Sequence, residues 1–399
     1  TEALNIIGLI ALIFPIFQIV SFQLRLITAP ASPTLVQGAA GGLAFAEGQT
    51  PPDIYYMILD AYTRDDVLEE VFEYDNTPFL ESLEEQGFYV AYCSLSNYAQ
   101  TELSLASSLN FNHLEALDER LAPGSANRSP LWPLINQSAV RTILEDLGYS
   151  TVAFETGYYW TQLDDADYYL TQNSSALEVM EAVGGVNSFE VMLLNTTGAL
   201  AVTDGISKLP DLVTETINYP NQKIRERLLY NFDRLDTIAP EIESPKFVFA
   251  HIVAPHEPFV FGPQGENIAL EGRDSDADYV PAYRDQLNYV NIRTLEIVEN
   301  ILSQSRTPPI IIIQGDHGAG PVRNEERMAI LNAIYLPGGS EGLYQNISPV
   351  NTFRVIFNRF FGGDYDLVED ASYYSIYDVP YQFTEISDTR LDCGEPSSP

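Results

Sequence analysis

Three hydrophobic patterns run along this chain, and each predicts a different element. The first spans Ala3 to Leu24, "ALNIIGLIALIFPIFQIVSFQL", 22 positions without a charged residue. Roughly 20 apolar residues suffice to cross a bilayer as a helix. No amphipathic face marks this stretch as a core helix instead. A cleaved signal peptide would carry a basic start and an apolar run of about 7 to 15 residues, whereas the acid Glu2 precedes this one. Residues 1–26 are therefore expected to form a transmembrane or membrane-associated helix. Because the sequence opens at Thr1 rather than Met, further upstream segments, spans among them, are expected. Residues 27–52, rich in Ala, Gly and Pro, read as a linker, and 53–399 as a globular region.

The second pattern is a short apolar run ending in polar residues: "DIYYMILD", "FYVAYCS", "STVAFET", "KFVFAHIV" and "IIIIQGDHG". Such runs predict strands covered on both faces. The third pattern has helical spacing, in "NTPFLESLEEQG", "TELSLASSLN", "VRTILEDLGY" and "YRDQLNYVNIRTLEIVENILSQS". Strands alternating with helices imply a mostly parallel sheet with helices on both faces. The acidic, Tyr-rich stretches "DDADYYL" and "EDASYYSIYDVPYQF" read as solvated loops or edge pieces. Neither an internal repeat nor a long low-complexity run interrupts the chain.

Composition narrows the function classes. The 399 residues carry 56 acids against 20 bases, a net charge of -36. Phosphate neutralisation needs clustered Lys and Arg, so a general nucleic-acid binder is excluded. An acidic surface with only Lys208, Lys223 and Lys246 as lysines suits high salt or a cation-rich exterior, and it repels anionic polymers. Cys93 and Cys393 fit one extracytoplasmic disulfide, with free thiols as the alternative. Five Asn-X-Ser/Thr sequons begin at Asn127, Asn136, Asn173, Asn195 and Asn346 and matter only in a glycosylating host.

Candidate chemistry collects at strand ends. Asp60 closes the first apolar strand, and Asp316 and His317 close the "IIII" strand. In parallel sheets ligands bind at that carboxyl edge, and carboxylate and imidazole are ordinary ligands of a divalent metal. Thr101 opens a helix, where unpaired N–H groups favour an anion, and a metal can activate its hydroxyl. Of four histidines, His251, His256 and His317 follow strands; His113 reads as structural. Arg64, Arg323, Arg327 and Arg354 are each candidates to hold a phosphate, with a surface ion pair the more economical reading.

Together, "PDIYYMILDAY", "SNYAQTELSLAS", "HIVAPHEPF", "IIIQGDHGAG", "ERMAILNAIYLPG" and "SPVNTFRVIFNRFFG" resemble the sulfatase-type branch of the alkaline phosphatase superfamily. Within it they are most similar to membrane-anchored phosphoglycerol and phosphoethanolamine transferases, including lipoteichoic acid synthases. The resemblance runs in order from Pro52 to Gly362. It implies an α/β/α sandwich, so that 53–399 would be a sulfatase-like catalytic domain outside the cytoplasm. It further implies one divalent metal (Mn, Mg, Zn or Ca) on Asp60, Thr101, Asp316 and His317, and a phospho-threonine intermediate on Thr101. His256, and less directly His251, would contact the phosphoryl group or leaving oxygen. The expected partners are the lipid bilayer and a phosphoester, lipid-linked substrates included.

Departures matter too. The sulfatase Cys/Ser-X-Pro-X-Arg run is replaced by Thr101-Glu-Leu-Ser-Leu105, which argues against sulfate esters. No Asp lies four residues before any His, so a complete second metal site is not expected. Ala61 stands where relatives commonly have glycine, at an expected small cost. The rival reading is a structural or accessory subunit of a membrane complex or filament, assembled through the N-terminal helix on an inactive scaffold, since fold does not fix function.

Overall fold

Successive residues of a strand face opposite sides of its sheet, so a strand that is apolar throughout needs cover on both. Ile54–Leu59 and Ile310–Gln314 are buried along their whole length, and the architecture supplies that cover. The computed structural model describes residues 42–45, 50–172, 209–268 and 276–387. The expected membrane helix, 1–26, lies outside them. In chain order the elements are β1 (Ile54–Leu59), α1 (Asp65–Phe72), α2 (Thr77–Glu85), β2 (Tyr89–Val90), α3 (Thr101–Ser108), α4 (Leu131–Asn136) and α5 (Ala139–Asp146). They continue with β3 (Ser150–Phe154), β4 (Tyr168–Leu170), α6 (Leu209–Glu241), β5 (Lys246–Ile252), α7 (Asp276–Gln304) and β6 (Ile310–Gln314). The last are α8 (Asn324–Met328), β7 (Asn332–Tyr335), α9 (Pro349–Phe361), β8 (Ser372–Tyr374) and β9 (Thr384–Ile386).

Seven strands form one sheet in the order β2-β7-β6-β1-β5-β3-β4. Those from β6 to β4 are parallel, while β7 runs against both β6 and β2. Tyr55, Met57 and Leu59 enter one core with Leu68 of α1, Leu80 of α2, Phe232 of α6 and Leu287 of α7. Ile54, Tyr56 and Ile58 enter another with Leu103 of α3, Ile143 of α5 and Ile356 of α9. The result is a mostly parallel sheet between two helical layers. Among the described residues no helix is long and apolar enough to cross a membrane.

Register is pinned at the edge opposite the candidate site. Lys246, fully buried, reaches Asp53 Oδ2 at 2.5 Å and the carbonyls of Ala239 and Ile242 at 3.2 and 3.1 Å. A buried ammonium without such partners would be costly. At one end of the linker, Ala44 N–H donates to the Phe361 carbonyl and Phe45 packs on Phe361, ring centroids 5.0 Å apart.

Three expectations are revised. The stretch "FYVAYCS" yields only the two residues of β2, because beyond Ala91, whose N–H still donates to the Asn332 carbonyl of β7, the chain leaves the sheet edge and Cys93 N–H donates to the Gln345 carbonyl. The segment 369–383 is less a solvated loop than an edge piece: Ser372–Tyr374 pairs with Thr384–Ile386 in a two-stranded sheet, Ser372 and Tyr381 are buried, and Tyr373 and Phe383 pack on Tyr98, while Ile376 and Tyr377 are exposed. Arg327 and Arg354 donate to carbonyls rather than surface acids, whereas Arg64 and Arg323 pair with Asp66 and Glu326. Cys93 is disulfide-bonded; Cys393 lies outside the described residues.

Candidate active site

Parallel pairing of β1 with β5 and β6 sets the carboxyl ends of three strands side by side. Asp60 follows β1, His256 follows β5, and Asp316-His317 follows β6. The turn after β1 is tied across this edge. Ala61 N–H donates to Asp316 Oδ1 at 3.1 Å, the Ala61 carbonyl accepts from Tyr283 Oη–H at 2.8 Å, and His256 N–H donates to the Asp60 carbonyl. Ala61 adopts φ 61°, a left-handed conformation costing an L-residue about 1–2 kcal/mol. Alanine in place of glycine is thus dearer here than the sequence suggested.

Thr101 is the first residue of α3, brought to the same edge by helix packing on the sheet. Its Oγ1 lies 3.2 Å from His317 Nε2. His317 Nδ1 lies 2.9 Å from the Gly318 carbonyl, which can only accept, so Nδ1 carries the proton and Nε2 presents a lone pair. Asp316 Oδ2 and Asp60 Oδ1 stand 3.5 and 3.7 Å from that nitrogen. Both oxygens are buried and have no hydrogen-bond partner. An unpaired buried carboxylate oxygen costs free energy, and its presence marks a place for a cation.

The spacing fits one. Four ligands about 2.1 Å from a tetrahedral ion lie about 3.4 Å from one another. The observed separations from Nε2 are 3.2, 3.5 and 3.7 Å. The donor set of two carboxylates, one imidazole and one hydroxyl suits Zn, Mn or Mg. Asp60, His251 and Asp316 also each offer an atom within 4.8 Å of the others. Both His251 nitrogens are already engaged, Nε2 with Asp60 Oδ2 and Nδ1 with Thr161 Oγ1, each at 3.2 Å. His251 is 1 % exposed and stands behind Asp60 rather than on the cleft wall, bracing the carboxylate as outer-layer partners of metal ligands do.

A cleft of about 320 Å³ opens over these groups, with Thr101, His317 and Asp60 at its base. His256 lines it, its ring centroid 6.2 Å from that of His317. The His256 Nδ1 proton goes to the Glu257 carbonyl at 2.6 Å. Burial pulls the His256 pKa down, but the carboxylates of Asp60 and Glu257 outweigh it and raise the pKa. For His317, burial prevails and the pKa falls. Burial would raise the Asp60 pKa, yet His256, His251 and His317 together hold it well below the usual carboxylate range.

Sequence reasoning missed the walls. Tyr158, Trp160 and Tyr377 line the cleft, and they come from Tyr-rich stretches whose pattern gave no sign of a site. Arg128 was also missed. It pairs with Glu102 Oε2 at 2.8 Å, donates to Gln100 Oε1 and to the Tyr377 carbonyl, and stacks 4.1 Å over the Tyr377 ring. Glu102 beside Thr101 is thereby neutralised, with Trp132 Nε1–H as a second donor at 3.0 Å. His113 lies apart from the cleft, bonded to the Glu369 carbonyl and packed on Tyr98 and Tyr373.

No family model and no curated protein matches the sequence. Among solved structures, the C-terminal periplasmic domain of EcEptC from Escherichia coli, in complex with Zn, aligns with a TM-score of 0.50 at 12% identity. That alignment covers 90% of this chain and 96% of that one. Lipooligosaccharide phosphoethanolamine transferase A from Neisseria meningitidis gives 0.45 at 12% identity over 74% of this chain and 50% of that one. The lipoteichoic acid synthase LtaP from Listeria monocytogenes gives 0.43 at 13% identity over 86% and 83%. At such identity the likeness is one of fold.

Proposed function

From the sulfatase-type fold of the alkaline phosphatase superfamily that this chain shares with EcEptC, we propose a metal-dependent phosphoryl-group transferase or phosphodiesterase with Thr101 as nucleophile. One observation carries the reading: the unpartnered buried oxygens of Asp60 and Asp316 converge with Thr101 Oγ1 on His317 Nε2. That the EcEptC domain forms a complex with Zn supports a divalent metal here. Asp60, Thr101, Asp316 and His317 would hold the ion. When bound, it would lower the hydroxyl pKa and neutralise charge on the phosphoryl oxygens.

The chain's own groups do the rest. Thr101, its hydroxyl proton passed to solvent before the attack, forms a bond from Oγ to phosphorus as the bond to the leaving alcohol breaks. His256, whose raised pKa keeps it charged to higher pH than an ordinary histidine, donates the Nε2 proton to that departing oxygen. The now neutral Nε2 takes a proton from an incoming water or second alcohol. That oxygen bonds to phosphorus, and Thr101 Oγ is released.

We place the catalytic domain, 53–399, outside the cytoplasm, tethered by residues 1–26 to the membrane that carries its phosphoester substrate. The periplasmic domain of EcEptC and the disulfide at Cys93 support this placement. The test is turnover of bis(p-nitrophenyl) phosphate with added Mn, Mg, Zn or Ca, beside Thr101→Ala, a phosphomonoester and a sulfate ester. Metal-dependent diester cleavage that falls at least about 1,000-fold in the variant is expected. No turnover of any ester with any metal would leave the scaffold reading in its place.

A further inference from the structure

Three cationic side chains line the cleft: Arg128, His256 and Arg327. Arg128 is met by the carboxylate of Glu102 at 2.8 Å, and His256 lies in the field of Asp60 and Glu257. Arg327 differs. Its Nε donates to the Ala99 carbonyl at 3.0 Å and its Nη1 to the Gly318 carbonyl at 3.3 Å. Both acceptors are neutral. Among the described residues Arg327 has no carboxylate partner, and its Nη2 donates to nothing, in a chain with 56 acids against 20 bases.

The two anchors are the segments that carry the reacting groups. Ala99 precedes Thr101 by two residues, and Gly318 follows His317 directly. The Gly318 carbonyl also takes the His317 Nδ1 proton. Residue 318 is held in return, its N–H donating to the Arg327 carbonyl at 2.6 Å. A Cβ there would lie 2.8 Å from the Glu326 carbonyl oxygen, so only glycine allows this approach. The guanidinium is therefore fixed relative to both Thr101 and His317 before any ligand arrives. A planar group held at two of its three nitrogens, with the third free, is preorganised to donate to an oxyanion.

We propose that Arg327 is the substrate-phosphoryl clamp of this site, its free Nη2 donating to a nonbridging oxygen. This deepens the function proposed above and rests on it. The competing role is a strut that merely holds Gly318 and the start of α3.

Titration of the metal-loaded full chain with inorganic phosphate separates the two, comparing wild type, Arg327→Gln and Arg327→Lys. The metal affinity of each is measured in parallel. A clamp predicts phosphate affinity about 10- to 100-fold lower in R327Q, with metal affinity within about 2-fold of wild type. R327K, which keeps the charge but loses the fork, should be intermediate, and it serves if R327Q does not fold. Unchanged phosphate affinity overturns the proposal, as does absence of phosphate binding by wild type or a loss that only follows a loss of metal. Phosphate binding that depends on Arg327 without turnover of any ester would sink the function proposed above and leave the anion site. Turnover with phosphate binding indifferent to Arg327 would do the reverse.

Discussion

Replacing Asp316 by Asn should make the metal-free protein more stable and the metal-loaded protein less so. Asp316 is 2 % exposed; Oδ1 accepts from Ala61 N–H, while Oδ2 is buried without a partner. An Asn keeps the first contact and can turn its amide toward the free oxygen of Asp60. Without metal, the Asp60 and Asp316 carboxylates have oxygens within 4.8 Å of each other. At an effective dielectric of about 20 that repulsion is on the order of 3 kcal/mol before relaxation. The unmet oxygen adds about 1–3 kcal/mol. Since relaxation and the neighbouring histidines recover part of both, a gain of about 1–3 kcal/mol in EDTA is expected. With metal at about 1,000 times its Kd, wild type gains about 4 kcal/mol from binding, and D316N should gain almost none. Urea unfolding of both proteins in EDTA and in saturating metal gives the four numbers. Equal stabilisation of the two by metal, or an Asn variant more than about 1 kcal/mol weaker in EDTA, would refute the assignment of these oxygens to a cation.

Two further substitutions probe the surrounding frame. His251→Gln should weaken metal binding about 10- to 100-fold by loosening Asp60, read by competition with a chromogenic chelator; a loss beyond about 10,000-fold would place His251 among the ligands instead. Ala61→Gly should stabilise the fold by about 0.5–1 kcal/mol, the relief of a positive φ less the entropy that glycine adds to the unfolded chain, and denaturant midpoints would show no gain if the turn is unstrained.

Asp60, Asp316 and His317 were legible because they end apolar runs, "IYYMIL" and "IIII", whose aromatic and β-branched residues favour a covered strand over a helix. Thr101 was legible from the polar-to-helical switch at "QTELSLASS". β7 was not read as an element, since "NAIY" is four residues long and a run that short fits strand or helix equally. The 33-residue α6 escaped for another reason: its apolar positions are scattered among acids and carry little periodic signal. Arg128 and Arg327 look alike in sequence. What separates them is whether a carboxylate happens to face the guanidinium, which depends on three segments meeting at the cleft.

The strand order has a consequence for how the protein is made. β1 is the earliest in sequence of the seven strands of the described sheet, yet it occupies the sheet centre, Ile54 pairing with Phe247 on one side and Ile310 on the other. Until β5 emerges both edges of this apolar strand stand open, and the edge that β6 covers stays open longer still, an invitation to pair with a neighbouring chain. On the proposed assignment, metal capture would mark a late stage of biogenesis, since Asp60 and His317, 257 positions apart, meet only once β6 has paired with β1. A polypeptide that crosses a membrane unfolded would reach the far side with the proposed metal site unassembled, and would gain it only where folding finishes.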